Sequence, residues 1–441
     1  MIPSLDAVPP DDALPARTGV VVIGGGIIGI NTALSLAERG HAVTVCEKGR
    51  IGAEQSARNW GWCRTMGRDL AELPLAIESL RLWRGMDART EGATGFRQAG
   101  TVFLCETERE LATQAAWLEQ ARAFQIDTRL LTGVETEAVL PGAARAFAGA
   151  LHTPGDGRAE PAHAVPAMAR AARRHGANLL TQCAVRGVET LGGRIAGVVT
   201  ERGRIACDAV VLAGGAWSRL FCGNLGIDLP QLNVLGSVMR VEGVAGAPEA
   251  AVGGSIFAFR RRQDGGFTVA RRNASISDIV PDSFRLFFDY MPAYRTEWRT
   301  LRLRFGRRFF EEWGTRRRWS LDQTTPFEAV RELDPVPSTR VLAQAATELP
   351  RVFPAFAPMR VTHRWGGLMD VTPDAVPVIS AVGGRPGLFI ASGFSGHGFG
   401  IGPAAGRLMA DLVTGAPPLV DPAPFRLERF ARARAAGAMA G

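Results

Sequence analysis

Three glycines at G-x-G-x-x-G spacing, Gly24, Gly26 and Gly29, followed by an acid at Glu47, are the first residues whose types and order could do chemistry. That spacing suits a loop cradling a pyrophosphate: Gly24 permits a tight turn, Gly26 brings backbone N–H groups near the phosphates, and Gly29 lets the following helix meet the strand. Glu47 would accept from ribose hydroxyls, and an acid there argues against a 2′-phosphate. Between flavin and nicotinamide dinucleotides this motif does not choose. Two more glycine clusters, in DAVVLAGGAWS (208–218) and GFSGHGFGIG (393–402), mark further places where backbone must turn tightly or approach something closely.

Stepping outward along the chain, 19–23 reads as a buried strand running into the turn, the apolar-periodic segment to about Arg39 as the helix, and 41–46 as a second strand ending on Glu47. Residues 49–64, GRIGAEQSARNWGWCR, continue directly from that acid, where a nicotinamide-type fold would be starting its next helix. The spacing behind 393–402 predicts a helix over 403–413; 164–176 reads as another helix and 182–188 as a strand. Alternating runs such as SIFAFRR and GGFTVARR predict antiparallel strands.

GGGIIG, the SARNWG segment, DGRAEP (156–161), VVLAGGAWS, TPDAVPVI (372–379) and GFSGHGF occur in that order. From about Gly19 to about Thr414 the chain therefore resembles the superfamily of FAD-dependent D-amino-acid, sarcosine and glycine oxidases, with its bacterial amino-acid dehydrogenases and deaminases. The resemblance implies an α/β fold: a Rossmann-like FAD-binding domain of the glutathione-reductase type 2, discontinuous over 18–90, 150–220 and 355–425. It further implies an α+β substrate domain on an antiparallel sheet from 91–149 and 221–354, with 1–17 and 426–441 as flexible or peripheral tails. By the same resemblance FAD is bound non-covalently. Ser56 and Arg58 would reach its phosphates, with Lys48 and Asn59 beside them. Trp60, Gly61 and Trp62 would shelter the flavin, Val185 would lie on the strand passing the adenine, and Ala213, Gly214 and Trp217 would come from the second turn. Gly366 would stand on the strand beside the ring. Gly393, Ser395, Gly396, His397, Gly398, Phe399 and Gly400 would hug the isoalloxazine and lead into a helix whose N-terminus points at the pyrimidine edge, stabilising charge there by about 0.3–2 kcal/mol.

Amine oxidation by flavin asks little of a protein: a cation for the substrate carboxylate, an apolar wall, and fixed geometry between Cα and flavin N5. Arg260, in FAFRRR, is the first candidate for the cation, followed by Arg64 and Arg364; Trp365 is assigned to the wall, with core packing as its alternative. Changing Arg260 to methionine is accordingly expected to raise KM by orders of magnitude with FAD retained. Relatives with covalent FAD attach it through a cysteine shortly before TPD, where this chain has Gly367, and the arginine of a GLRP-like stretch is replaced by Met369. The WGGLMDVTPD and GFSGHGFGIGP wording is most similar to bacterial L-amino-acid deaminases and oxidases. It implies an L-α-amino acid with a neutral or aromatic side chain, oxidised to the imino acid and hydrolysed to 2-oxo acid and ammonia. The alternatives are a D-amino-acid dehydrogenase or oxidase, or an oxidase of secondary amines such as sarcosine or proline. Sarcosine-type oxidases activate oxygen with a lysine beside the flavin, whereas the one lysine here, Lys48, follows the ribose-binding acid. Oxygen and a quinone or other respiratory acceptor both stay open.

Composition bounds the remainder. A chain of 441 residues, 46% hydrophobic, can bury the cores of two domains. The formal charge of +8 suggests a nucleic acid or an anionic surface, but all of the 51 basic residues except Lys48 are arginines dispersed along the chain, and a nucleic-acid partner is set aside. An NAD-dependent dehydrogenase would lack the second glycine turn and the carboxy-terminal return. Cys46, Cys63, Cys105, Cys183, Cys207 and Cys222 show neither CxxC nor metal spacing, as expected of reduced thiols. No leader pattern opens the sequence and no apolar run reaches about 18 residues. The expectation is a cytoplasmic protein whose 282–320 segment, rich in Arg, Phe, Tyr and Trp, is the one candidate for contact with the inner face of the membrane. Two other readings of that segment stand beside it: a helical cap over the active site, and a solvated arginine-rich helix whose aromatics are core.

Overall fold

A computed structural model describes residues 4–92, 94–297 and 301–431. Val20–Ile23, buried throughout, pairs in parallel with Val43–Cys46 on one side and Ala209–Leu212 on the other. Asn178–Leu180 and Leu388–Ser392 extend this sheet in parallel, and Val378–Ala381 closes one edge antiparallel. Uninterrupted apolar runs such as VVVI are what strands covered on both faces require. Helix Ile27–Ala37 leaves the first glycine turn and packs against helix Gly398–Thr414.

A ten-stranded sheet faces this layer. Thr101–Cys105 and Arg129–Thr132 come from 91–149, Gly149–Thr153 runs into the stretch expected to be nucleotide-binding, and Leu232–Glu242, Ala258–Arg261, Phe267–Ala270 and their neighbours come from 221–354. Most pairings are antiparallel, as expected, but Ala251–Gly253 runs parallel to Thr101–Cys105, and Ser275–Asp278 parallel to Leu301–Arg304. The longest strand, Arg360–Val371, falls in the stretch expected to belong to the nucleotide domain. It pairs instead with Leu232–Glu242, from Val371 opposite Leu232 to Arg360 opposite Glu242, before the chain returns to the parallel sheet at Val378. Phe259 packs against Phe267, Phe353 and Phe356 in the core beneath.

Boundaries shift for local reasons. The helix expected from Pro403 begins at Gly398, so part of the glycine stretch is its first turn; glycine's low helix propensity hid it. The helix over 164–176 spans Pro161–Arg174 with proline in its first turn, and the strand over 182–188 spans Val185–Leu191. Residues 4–17 are pinned rather than flexible: the Leu179 N–H donates to the Asp11 carboxylate at 2.8 Å, and the Asp11 N–H returns a bond to the Leu179 carbonyl. At the other end Arg429 pairs with Asp374 at 2.7 Å, while 432–441 lie outside the described residues.

The structure of the 282–320 segment bears on two of its readings. It forms helices Pro281–Arg285, Phe287–Glu297 and Arg307–Gly314 and strand Leu301–Arg304, with 298–300 outside the described residues. Most of its aromatics are not core, since Phe288 is 87% and Trp313 72% exposed, although Trp319 at its end is buried in the core. The cap reading also fails, because no described residue of 282–320 lines the main cavity.

A Cβ on Gly406 would stand 2.5 Å from the backbone carbon of Asn31. Gly406→Ala should therefore lower stability by about 1–3 kcal/mol in denaturant titration, overriding the helix-propensity gain of about 0.5–1 kcal/mol.

Candidate active site

A cavity of about 410 Å³ runs from the first glycine turn to the inner face of the large sheet. At its nucleotide end Gly24 adopts φ +108°, and a Cβ there would meet the Ala213 carbonyl oxygen at 2.4 Å. Only glycine accepts both conditions. A Cβ on Gly29 would stand 2.0 Å from the Gly24 carbonyl oxygen, so the third glycine lets the helix seat on the turn. Glu47 accepts from the N–H groups of Gly25 at 2.6 Å and Gly49 at 2.7 Å; burial still pushes its carboxyl pKa up. Ser56 Oγ accepts from the Ile27 N–H at 2.9 Å, bracing the start of the helix. Lys48 donates to Glu54 and to the carbonyls of Val330 and Arg331. Arg58 is held by three acceptors yet keeps one terminal nitrogen, Nη2, buried without a partner.

The carboxy-terminal segment supplies the opposite wall. Ser395, Gly396, His397, Gly398, Phe399 and Gly400 all line the cavity, and the 17-residue helix beginning at Gly398 has no side-chain cap. Its first N–H groups are free to donate. His397 Nδ1 lies 3.0 Å from the buried Glu72 carboxylate; burial and Arg68 push the imidazole below its usual pKa against the pull of Glu72. The glycine cradle, the spare Arg58 nitrogen and the uncapped helix are what a pyrophosphate and an electron-rich ring need. The residues present fit FAD. Val185, Ala213, Gly214, Trp217, Asn59, Gly26, Lys48 and Glu47 also line the cavity.

At the substrate end Trp60 and Trp62 meet edge to face with ring centroids 5.3 Å apart, and Phe394, Met369 and Val238 complete an apolar wall. Three arginines line it: Arg64, Arg68 and Arg271. Arg64 donates to the Met66 carbonyl and stands over the Phe103 ring; burial and neighbouring Arg68 hold its pKa well below the usual range. Arg271 differs: its Nε and Nη1 are buried with no hydrogen-bond partner, and burial, with Arg302 nearby, lowers its pKa.

Several sequence assignments are corrected. Arg260, 1% exposed, is bidentate to Glu160 at 2.6 and 3.0 Å and donates to the carbonyls of Trp60 and Arg261; it lies behind the cavity wall with no free donor facing inward. Arg364 points to solvent from the far face of its strand. Trp365 shares a strand face with Gly367 and Met369 but lies one step beyond the cavity, its indole donating to the Arg58 carbonyl at 3.0 Å, so the packing alternative holds. Gly61 is where backbone closes over Arg260, since a Cβ there would meet Arg260 Nε at 2.8 Å. Gly366 turns its carbonyl to Arg58, and Gly393 donates to Asp370 at 2.7 Å; neither lines the cavity. Arg271 and Arg68 were missed. The only signal for Arg271 was the arginine pair ending the alternation in GGFTVARR, which sheet order alone converts into a position at the cavity.

The parallel sheet with its glycine turns and the cavity between the two sheets define a dinucleotide-binding oxidoreductase. The family model described as FAD dependent oxidoreductase matches residues 19–412. The chain belongs to this family and is an FAD-dependent enzyme of the amino-acid oxidase and dehydrogenase type. It is 29% identical to glycine oxidase of Pseudomonas aeruginosa, over 92% of this chain and 97% of the relative. It is 25% identical to D-amino acid dehydrogenase of Rhizobium rhizogenes, over 93% and 99% respectively. L-amino acid deaminase from Proteus myxofaciens, solved in complex with anthranilate, superposes with a TM-score of 0.93 at 38% identity, covering 97% of this chain and 96% of that one.

Arg260→Met would strand the buried Glu160 carboxylate, so the expected outcome is a stability loss of about 3–5 kcal/mol in urea titration. KM of the surviving holoenzyme should stay within a few-fold; a KM rise of orders of magnitude at unchanged stability would return the carboxylate to Arg260.

Proposed function

We propose that the protein oxidises the Cα–N bond of a free α-amino acid, with the L configuration and a neutral or aromatic side chain, to the imino acid, which water converts to 2-oxo acid and ammonia. The observation that carries this reading is Arg271, a partly buried arginine whose Nε and Nη1 are buried without a partner on the cavity wall beside an aromatic face. A buried cation without a partner is costly, and a substrate carboxylate relieves that cost. The Proteus myxofaciens neighbour was solved with anthranilate, itself an aromatic carboxylate, which supports this pairing and the L assignment. Names among the relatives reach from glycine to D-amino acids, so the D-amino-acid dehydrogenase is the second reading.

Non-covalently bound FAD would supply the hydride acceptor. The chain's own work is to position and to exclude water. Arg271 fixes the carboxylate, with Arg64 and Arg68 adding positive field. Trp60, Trp62 and Phe394 enclose the side chain. The free N–H groups at the Gly398 helix start favour negative charge at the facing edge of the cofactor, and Gly367 offers no side chain for a covalent link.

Electrons then pass to oxygen or to a membrane quinone. We place that contact on the exposed aromatic and arginine face of helices Pro281–Arg285, Phe287–Glu297 and Arg307–Gly314, which suits the inner, anionic surface of a membrane around a cytoplasmic protein. No helix among the described residues is long and apolar enough to span one.

Anaerobic addition of separate L- and D-amino-acid panels should bleach the flavin band with the L panel, and Arg271→Met should raise KM at least about 100-fold with FAD retained. Bleaching by the D panel alone selects the second reading, and an unchanged KM removes Arg271 from the site. Phe288→Ser with Trp313→Ser should lower co-sedimentation with anionic vesicles several-fold without altering anaerobic bleaching; equal sedimentation would rule out that face.

A further inference from the structure

A second cavity, of about 310 Å³, opens on the other side of helix Ser218–Asn224. That helix shows Phe221 to the first cavity and Leu220 and Gly223 to the second. Four guanidinium groups line the recess: Arg219, Arg285, Arg317 and Arg318. They arrive from separate elements, the helix itself, the end of Pro281–Arg285, and the chain just after Arg307–Gly314.

Their convergence is organised by one carboxylate. Asp282 takes Arg219 Nε at 2.9 Å, Arg285 Nη1 at 2.9 Å and Arg317 Nη1 at 3.1 Å. Asp228 reaches Arg219 at 3.4 Å, while Arg318 is held by the Asn224 carbonyl at 2.9 Å. Among the described residues four cations line the recess with Asp228, while Asp282 and Glu312 stand behind them, so positive charge is in excess inside a recess that Gly223 and Gly226 leave unobstructed. Guanidinium forks match the oxygens of a phosphate group in pairs, and several such forks at one point favour a dianion over a lone carboxylate.

We propose that this recess binds a phosphate group, free or carried on an anionic lipid. Arg285 follows the exposed Phe284 in sequence and Phe287 is also exposed, so a phosphate at a membrane surface can reach the recess as well as one in solution. The inference rests on this cluster alone and does not depend on which amine the enzyme oxidises.

The test uses the full-length holoenzyme and the double variant Arg285→Gln, Arg317→Gln, in which Arg219 still satisfies Asp282. Inorganic phosphate replaces chloride at constant ionic strength, and thermal unfolding is followed. In parallel, flotation with phosphatidylcholine vesicles is compared with and without phosphatidic acid, with free phosphate as competitor. A saturable rise in Tm with phosphate, weakened about ten-fold or more in apparent affinity in the variant, supports the site with a free ligand. Retention on phosphatidic-acid vesicles that free phosphate displaces, and that the variant loses, supports it with a lipid ligand. Should the double variant not fold, Arg318→Gln serves the same comparison. The proposal is overturned when the wild-type protein shows neither response, or when the variants respond as the wild type does.

Discussion

One buried charge decides how the two sheets meet. Arg58 is 3% exposed, and its guanidinium donates to the Ala53 carbonyl at 3.2 Å, the Gly366 carbonyl at 2.9 Å and Asp334 at 2.8 Å. Its own carbonyl accepts from the Trp365 indole. A guanidinium out of water is costly unless most of its donors are satisfied, and here the acceptors come from the loop that carries it and from two distant stretches of chain. The loop after Glu47, the 334 turn and the long strand must therefore converge at one point. Gly367 makes that approach possible, since a Cβ there would already stand 3.2 Å from the Arg58 Cβ. The cavity floor follows from this junction, and so does the direction of the one donor that Arg58 leaves unused.

The long strand pair carries the junction into the rest of the fold. Arg360–Val371 belongs by pairing to the large sheet, yet its end delivers Asp370, whose carboxylate receives Gly393 and Ser392 and so positions the return to the Gly398 helix. Burial pushes the Asp370 carboxyl pKa up in spite of these donors. Tyr290 closes the same corner from the 281–297 segment, accepting from the Leu232 N–H at 3.0 Å and donating to the Val371 carbonyl. The exposed aromatic face is thereby rooted on the strand pair that borders the cavity.

What could be read from the sequence follows from where the chemistry resides. The nucleotide end is built from backbone, and backbone geometry is written in glycine: Gly24 and Gly29 sit where no other side chain fits, so spacing alone identified them. The substrate end is built from side chains whose role depends on their partners. Arg260 and Arg271 are eleven positions apart and alike in sequence context, but Glu160, a hundred residues away, neutralises the first and nothing among the described residues neutralises the second. The aromatics of 282–320 were ambiguous for the same reason. Only the fold shows that most of them lie outward while Tyr290 and Trp319 turn inward.

The selectivity we propose for the substrate end rests on charge balance. Arg64 and Arg272 stand over the Phe103 ring, their guanidinium carbons 5.3 and 3.9 Å from its centre, and Arg68 and Arg271 lie close by. Of the carboxylates around them, Glu72 pairs with His397, and Asp156 is committed to the Thr65 and Met66 backbone, with burial nevertheless pushing its pKa up to about 6. Its negative charge cannot be shared with the far wall. At this end Arg271 has no carboxylate partner among the described residues, and burial lowers its guanidinium pKa. An amine lacking a carboxylate would fill the aromatic wall but leave that guanidinium buried and unpaired, whereas an amino acid satisfies both surfaces. Discrimination of this kind arises from the polar group a wrong ligand leaves unsatisfied more than from the contacts the right one adds.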